Sequence, residues 1–127
     1  MASRIGLGLA ALGRPVYIDV GRDRDLGSER TRAAMEARCR EVLDAAYAAG
    51  IRYVDVARSY GDAEAFLGAW LDAGGRSEVV VGSKWGYTYV GGWRLDADVQ
   101  EVKDLSVAAL RRQIGRASCR ERVSTIV

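Results

Sequence analysis

Residues 51–84 read IRYVDVARSYGDAEAFLGAWLDAGGRSEVVVGSK, and this stretch decides the fold. Ile51 to Val56 alternates apolar with polar residues and is rich in β-formers, which predicts a strand. From Asp62 the apolar residues recur at helical spacing until Gly74. Glu78 to Val81 then predicts a second strand with a nearly continuous apolar centre, as expected when both faces are covered. A strand, a helix and a further strand in succession are the unit of a parallel α/β sheet.

The same alternation continues on both sides of this stretch. Ile5 to Ala10 predicts an earlier strand, and a helix is expected to begin near Ser28 or Thr31, both good capping residues, and to end at Gly50. A last helical pattern runs from about Asp98 to Gln113. The sequence therefore predicts three strands and three helices, with no internal repeat or linker.

Composition and length limit the class of protein. The chain has 127 residues, of which 49% are hydrophobic and 28% charged, as in an ordinary globular domain, so we expect one domain at most. No stretch approaches the ~20 consecutive apolar residues of a membrane span, and the N-terminus lacks the pattern of a secretory signal. We therefore expect a cytoplasmic protein with no membrane partner. Two cysteines and no histidine argue against a disulfide framework or a metal site.

The C-terminal residues differ in character from the rest of the chain. Residues 1–113 carry equal numbers of basic and acidic side chains, so the net charge of +2 comes from the tail. A basic tail could bind nucleic acid or anionic lipid. The run from Ile114 to Val123, however, resembles the translation of a common sequencing adapter, read in frame from the codon of Gln113. We therefore predict that residues 1–113 form the domain, that 114–127 are non-native or disordered, and that no nucleic acid is bound.

Three blocks of sequence carry a family resemblance. They are GLGLAALG at 6–13, DVARSYG at 55–61 and GSKWGY at 82–87. In this order, and at the predicted strand ends, they resemble successive blocks of the aldo-keto reductase family over about residues 4–113. The resemblance implies a TIM (β/α)8 barrel that binds an extended NADPH across its C-terminal face. This chain would then hold roughly the first three βα units, a partial barrel with a parallel sheet.

The resemblance also assigns site residues. By motif match the catalytic residues are Asp55, Tyr60 and Lys84, and the cofactor-binding residues are Asp55 and Ala10. Val56 stands where the family has Thr, which we expect to be a minor departure. The fourth catalytic residue of the family, a His after the fourth strand, has no counterpart in this chain. The family residues that grip the cofactor phosphates lie on later strands, so the choice of NADPH over NADH rests on the resemblance alone.

The chemistry explains why these residue types belong together. Reduction of a carbonyl needs a hydride at carbon and a proton at oxygen, and a nicotinamide supplies only the hydride. A tyrosine with an ordinary pKa of ~10 is a poor acid, but a lysine ammonium within ~4–6 Å stabilises the phenolate and lowers that pKa. Tyr60 would be the acid, Lys84 its modulator, and Asp55 the group that orients Lys84. We thus expect an NADPH-dependent oxidoreductase acting on small aldehydes or ketones, and an unstable, inactive 127-residue chain.

Other interpretations stay open. Gly6 to Ala11 also fits a relaxed dinucleotide fingerprint, which would indicate a Rossmann-type dehydrogenase, although that fold needs a helix to begin at the glycines. A barrel-family subunit that binds cofactor without turnover is another alternative. Taken singly, Tyr60 could be a packing residue, Asp55 a helix cap and Lys84 a solvated charge. The aromatic residues of the next loop could line a pocket or pack on one another: Trp85, Tyr87, Tyr89 and Trp93. The sequence leaves the substrate and the oligomeric state open.

Overall fold

The computed structural model describes residues 3–16, 27–115 and 123–126. Within these ranges the elements follow in the order β1 (Leu7–Gly8), α1 (Arg32–Ala48), β2 (Tyr53–Asp55), α2 (Ala63–Gly74), β3 (Val80–Ser83), β4 (Tyr87–Tyr89), β5 (Glu101–Lys103), α3 (Val107–Gly115) and β6 (Val123–Ile126).

Four of the strands form one parallel sheet. Its order is β1-β2-β3-β6, and Val54 of β2 is in register with Leu7 on one side and Val81 on the other. Helices α1 and α2 are the crossovers between β1 and β2 and between β2 and β3, as the sequence predicted. The predicted fold class, an α/β partial barrel with a parallel sheet, is confirmed.

The core lies between this sheet and the two crossover helices. Burial of one apolar face on each element supplies the main stabilising free energy, roughly 25 cal/mol per Å² of apolar surface. Helix α1 contributes three fully buried apolar side chains, and α2 contributes five that are at most 3% exposed. They pack on buried residues of β2 and β3: Met35, Cys39, Leu43, Ala63, Phe66, Leu67, Trp70, Leu71, Val54 and Val81.

Most element boundaries follow from local chemistry. Helix α1 begins at Arg32 because Thr31 Oγ1 accepts a hydrogen bond from the Ala34 amide at 3.2 Å. Helix α2 ends where Gly75 adopts a left-handed conformation with φ of 59°. Because α1 begins only at Arg32, the glycines of 6–13 do not open a helix, which a Rossmann fingerprint requires.

Strands β1 and β2 are shorter than predicted, and β3 is displaced by two residues. It covers Val80–Ser83 instead of 78–81, because a turn uses the preceding residues: the Val79 amide donates to Arg76 O at 3.3 Å. Strand β1 covers Leu7–Gly8 instead of 5–10, since a turn closed by the Leu12 amide and Leu9 O begins directly after it.

The helix predicted over 98–113 is wrong in its first half. Glu101–Lys103 is strand β5, which pairs antiparallel with β4, and the helix covers only Val107–Gly115. Val99 and Val102 are spaced as on one face of a helix, but both side chains are about half exposed. Burial of an apolar face therefore does not stabilise a helix at these residues. A β-hairpin therefore lies within the connection from β3 to α3.

The C-terminal segment is described in two parts. Ile114 and Gly115 end α3, and Val123–Ile126 form β6, which pairs in parallel with β3. Residues 116–122 and 127 lie outside the described ranges. That 1–113 form the domain and that 114–127 are non-native or disordered stays a prediction.

Candidate active site

The carboxyl ends of β2 and β3 place a carboxylate beside an amine. Asp55 is the last residue of β2, and Lys84 follows the last residue of β3. Because the strands are parallel neighbours, both side chains reach the same rim. Lys84 Nζ lies 2.5 Å from Asp55 Oδ2 and donates a second hydrogen bond to Val56 O at 3.2 Å. Both side chains are more than one-third exposed, so the ion pair is open to a ligand.

Tyr60 lies on the turn that follows β2. Its amide donates to Ala57 O and its carbonyl accepts from the Ala63 amide, both at 3.1 Å, so the turn is closed on either side. The half-buried ring packs against the core, with its centroid 5.2 Å from Lys84 Nζ. The structure thus brings Asp55, Tyr60 and Lys84 together at one rim. Their catalytic roles stay a prediction.

Ala10 lies near the same rim. It follows β1 in the turn between Leu9 and Leu12, and the Leu9 amide donates to Asp55 O at 2.9 Å. Gly8, in register with Asp55, would direct a Cβ atom into open space. The cofactor-binding role of Ala10 and Asp55 stays a prediction.

A buried carboxylate joins the two strand ends, and the sequence analysis had not placed it in the site. Glu64, in the first turn of α2, is 3% exposed. Its carboxylate accepts from Ser83 Oγ at 2.7 Å and pairs with Arg58 Nη1 at 2.5 Å. The Arg58 amide in turn donates to Lys84 O at 3.1 Å. An acidic residue within the apolar stripe of α2 was the signal that could have identified it.

The loop after β1 packs tightly on the turn that carries Tyr60. The Asp62 amide donates to Gly13 O at 2.7 Å. A Cβ atom on Gly13 would clash with Tyr60 O, and one on Gly61 would clash with Gly13 O. Gly61 also has a left-handed φ of 59°, so both positions require glycine. This contact explains why glycines occur in both motif blocks.

A fully buried arginine completes the contact between these segments. Arg14 is 1% exposed, and its Nη1 donates to Ser59 O at 3.2 Å and to Glu101 Oε2 of strand β5 at 3.1 Å. The guanidinium therefore links the β1–α1 loop, the Tyr60 turn and the hairpin. Sequence patterns could not reveal this link, because its partners are 45 and 87 positions away.

The aromatic residues after Lys84 divide into two groups. Tyr89 and Trp93 pack within the protein: Tyr89 Oη accepts from the Trp93 amide at 2.9 Å, and the Trp93 indole donates to Arg30 O at 2.9 Å. Trp85 instead borders a small cavity together with Lys84. Tyr87 is 39% exposed. The packing interpretation holds for Tyr89 and Trp93, and a pocket role for Trp85 stays a prediction.

The described ranges contain neither a metal-binding cluster nor a membrane-spanning helix. There, no three His, Cys, Asp or Glu side chains come close enough to hold a metal ion. No helix in the same residues combines the length and apolar character needed to cross a membrane.

Comparison with known proteins identifies the family of this chain. The chain is 38% identical over 73 residues to aldo-keto reductase str7 of Strobilurus tenacellus, an alignment that covers 57% of this chain and 21% of that protein. Two solved structures of chains described as aldo-keto reductases from Pseudomonas aeruginosa superpose with TM-scores of 0.64 and 0.61, at 29% and 32% identity. They match 98% of this chain, which spans 40% and 39% of their lengths. The family model "Aldo/keto reductase family" matches residues 4–123, and the chain therefore belongs to the aldo/keto reductase family.

Proposed function

We propose that this chain is the N-terminal part of an NADPH-dependent oxidoreductase that reduces aldehydes or ketones to alcohols. The observation that carries the proposal is the position of Lys84 Nζ, 2.5 Å from the Asp55 carboxylate and 5.2 Å from the centroid of the Tyr60 ring. An acid, a cation that stabilises its conjugate base and a carboxylate that orients the cation are together what proton delivery to a carbonyl requires.

Tyr60 is the proposed proton donor to the carbonyl oxygen. As the proton leaves, negative charge develops on the phenol oxygen, and the ammonium of Lys84 stabilises it electrostatically. Asp55 and the Val56 carbonyl hold that ammonium in place through two hydrogen bonds. The turn around Tyr60 is rigid, so little reorganisation accompanies the transfer.

The cofactor is proposed to lie with its nicotinamide end at Asp55 and Ala10. When bound, it supplies the hydride for the carbonyl carbon. This placement and the preference for NADPH are both proposed from family membership. We propose the cytoplasm as the compartment and a small carbonyl compound as the substrate.

The proposed activity belongs to a complete barrel. The chain spans about two-fifths of the solved relatives and one-fifth of the curated relative. Three or four strands leave much of the cofactor and substrate site to other residues, so we propose that the 127-residue chain alone has no turnover.

Substitution of Tyr60 tests the proposal in a full-length protein that contains this chain. Y60F should lower kcat for NADPH-dependent reduction of small aldehydes by about 10²- to 10⁴-fold, because the acid is lost while the ring and its packing remain. The measurement is NADPH oxidation across a panel of aldehydes.

The matched control is Y47F, which removes a hydroxyl that donates to Glu78 at the opposite end of the strands from the rim and should leave kcat unchanged. A folded Y60F protein with wild-type kcat would exclude Tyr60 as the acid. A wild-type protein that binds NADPH without turnover would instead favour the regulatory subunit.

A further inference from the structure

The position of Tyr60 depends on residues from three separate segments. The Ser59–Tyr60 peptide group is held at both ends: its carbonyl accepts from Arg14 and its amide donates to Ala57 O. The next peptide group is held through Tyr60 O by the Ala63 amide. These two peptide planes fix the direction of the Cα–Cβ bond of Tyr60, because its Cα atom joins them, and they thereby limit where the ring can lie.

Arg14 is a costly residue to place at this point. A guanidinium that is 1% exposed loses nearly all its hydration, which is tolerated only when a carboxylate and hydrogen-bond acceptors replace the water. Glu101 supplies the carboxylate, and it is itself only 21% exposed. The hairpin thus holds Arg14, and Arg14 holds the peptide group next to Tyr60.

We propose that Arg14 and Glu101 are positioning residues for the proton donor. Arg14, held by Glu101, orients the Ser59–Tyr60 peptide group so that the phenol lies beside Lys84. The β4–β5 hairpin thereby contributes to proton delivery without touching the substrate. This inference rests on the proposed function for its kinetic consequence, and the placement of Tyr60 that it describes can be tested without activity.

The first test is the ¹³Cζ resonance of Tyr60, assigned by comparison with Y60F in the complete protein labelled at tyrosine. The resonance reports on the charge of Lys84 beside the ring, so K84M should shift it. R14M and E101Q should each shift it in the same direction, and R14K, which keeps the charge on a shorter side chain, should shift it less than R14M.

The matched control is R76M. Arg76 is 20% exposed, pairs with Asp44 at 3.1 Å and lies over the Trp70 ring beyond the end of α2, away from the rim. Its loss should lower the melting temperature without moving the Tyr60 resonance. If R14M or E101Q leaves the resonance unchanged in a folded protein, or if R76M moves it equally, the inference is overturned. E101Q keeps an acceptor at this position and provides the test if R14M does not fold.

Kinetics provide the second test. R14M and E101Q should lower kcat about 10- to 100-fold with the KM for aldehyde changed less than about twofold, as expected for a displaced reacting group. Unchanged kcat in the folded variants would overturn the inference. Absence of turnover in the wild-type protein would instead contradict the proposed function. The ¹³Cζ resonance of Tyr60 would still show whether Arg14 and Glu101 set the position of its ring.

Discussion

The amine of Lys84 contacts a carboxylate, a carbonyl and an aromatic ring, and each neighbour comes from the end of β2 or the turn after it. The contacts with Asp55 and Val56 satisfy two of the three ammonium hydrogens. These residues and their rim could be predicted, because the sequence blocks that resemble the family stand at the predicted ends of parallel strands. The roles of Glu64 and Arg14 could not, since a single buried charge has no periodicity and its partners are distant in sequence.

Cys39 illustrates how burial alone sets the reactivity of one residue. Its side chain is fully buried in α1. Burial, with a smaller effect of the Glu36 charge, raises the pKa of its thiol from 9.0 to about 12. The thiolate, which is the nucleophile, is therefore scarce at neutral pH. Because the folded pKa lies above the ordinary value, any stabilisation from the neutral thiol is complete below pH 9 and is lost as the pH rises toward 12.

We predict that Cys39 resists alkylation in the folded chain. In a C119S background, the rate of reaction with iodoacetamide should stay low between pH 7 and pH 9 and should increase sharply in urea. C39S, which keeps Cys119, serves as the control for reagent activity. Rapid labelling of Cys39 in the folded protein at pH 8, with the circular dichroism spectrum unchanged, would contradict this prediction.

Among the secondary-structure elements, the β4–β5 hairpin is the one that the sequence did not predict. Gln113 of α3 is 5% exposed and holds the start of the hairpin through two hydrogen bonds. Its Oε1 accepts from the Gly86 amide at 2.8 Å, and its Nε2 donates to Tyr87 O at 2.8 Å. The spacing of Val99 and Val102 suits a helix as well as a hairpin, so periodicity could not decide. Hydrogen bonds from the Arg14 and Gln113 side chains, which lie outside the hairpin, stabilise its strand conformation instead.

The N-terminus of α3 depends on Ser106 and Asp104. Ser106 Oγ accepts from the Ala109 amide at 3.1 Å, and Asp104 Oδ1 accepts from the Ser106 amide at 3.0 Å. The Ser106 hydrogen bonds, with a smaller effect of Arg112, lower the pKa of Asp104 below 3.8. Because the folded pKa is lowered, the stabilisation is complete above the ordinary value and is lost as the pH falls through the folded value.

Removal of the cap should therefore weaken α3. S106A should lower the free energy of unfolding by about 1 kcal/mol, a typical value for loss of an N-cap. D104N should reduce the dependence of stability on pH below 3.8. Both are measured by urea unfolding at neutral and acidic pH, with D96N as the control because Asp96 is 79% exposed and pairs only locally with Arg94. Equal unfolding midpoints for S106A and wild type would show that Ser106 does not stabilise the helix.

For the whole molecule, the two faces of the sheet differ sharply. Val54 and Val81 face the helices and are at most 4% exposed, whereas Tyr53 and Val80, on the opposite face, are 41% and 43% exposed. The Tyr53 ring lies flat over this face, where Gly82 leaves room for it. In a closed (β/α)8 barrel this face is the packed interior. Asp55 and Lys84 lie at its upper rim, so the interior forms the floor of the proposed site.

This open face leads to a prediction about the 127-residue chain itself. A parallel sheet normally has both faces covered, and unpaired strand edges promote association, so the isolated chain should self-associate in a concentration-dependent way. Light scattering coupled to size-exclusion chromatography measures the effect. Y53T combined with V80T should shift the distribution toward monomer, whereas V90T, which removes a similarly exposed apolar side chain in the hairpin loop, should not. A wild-type chain that remains monomeric at high concentration and melts cooperatively would mean that this face does not need the rest of a barrel. In that case three βα units would form a stable domain, and a partial barrel could hold the rim residues in place without its remaining strands.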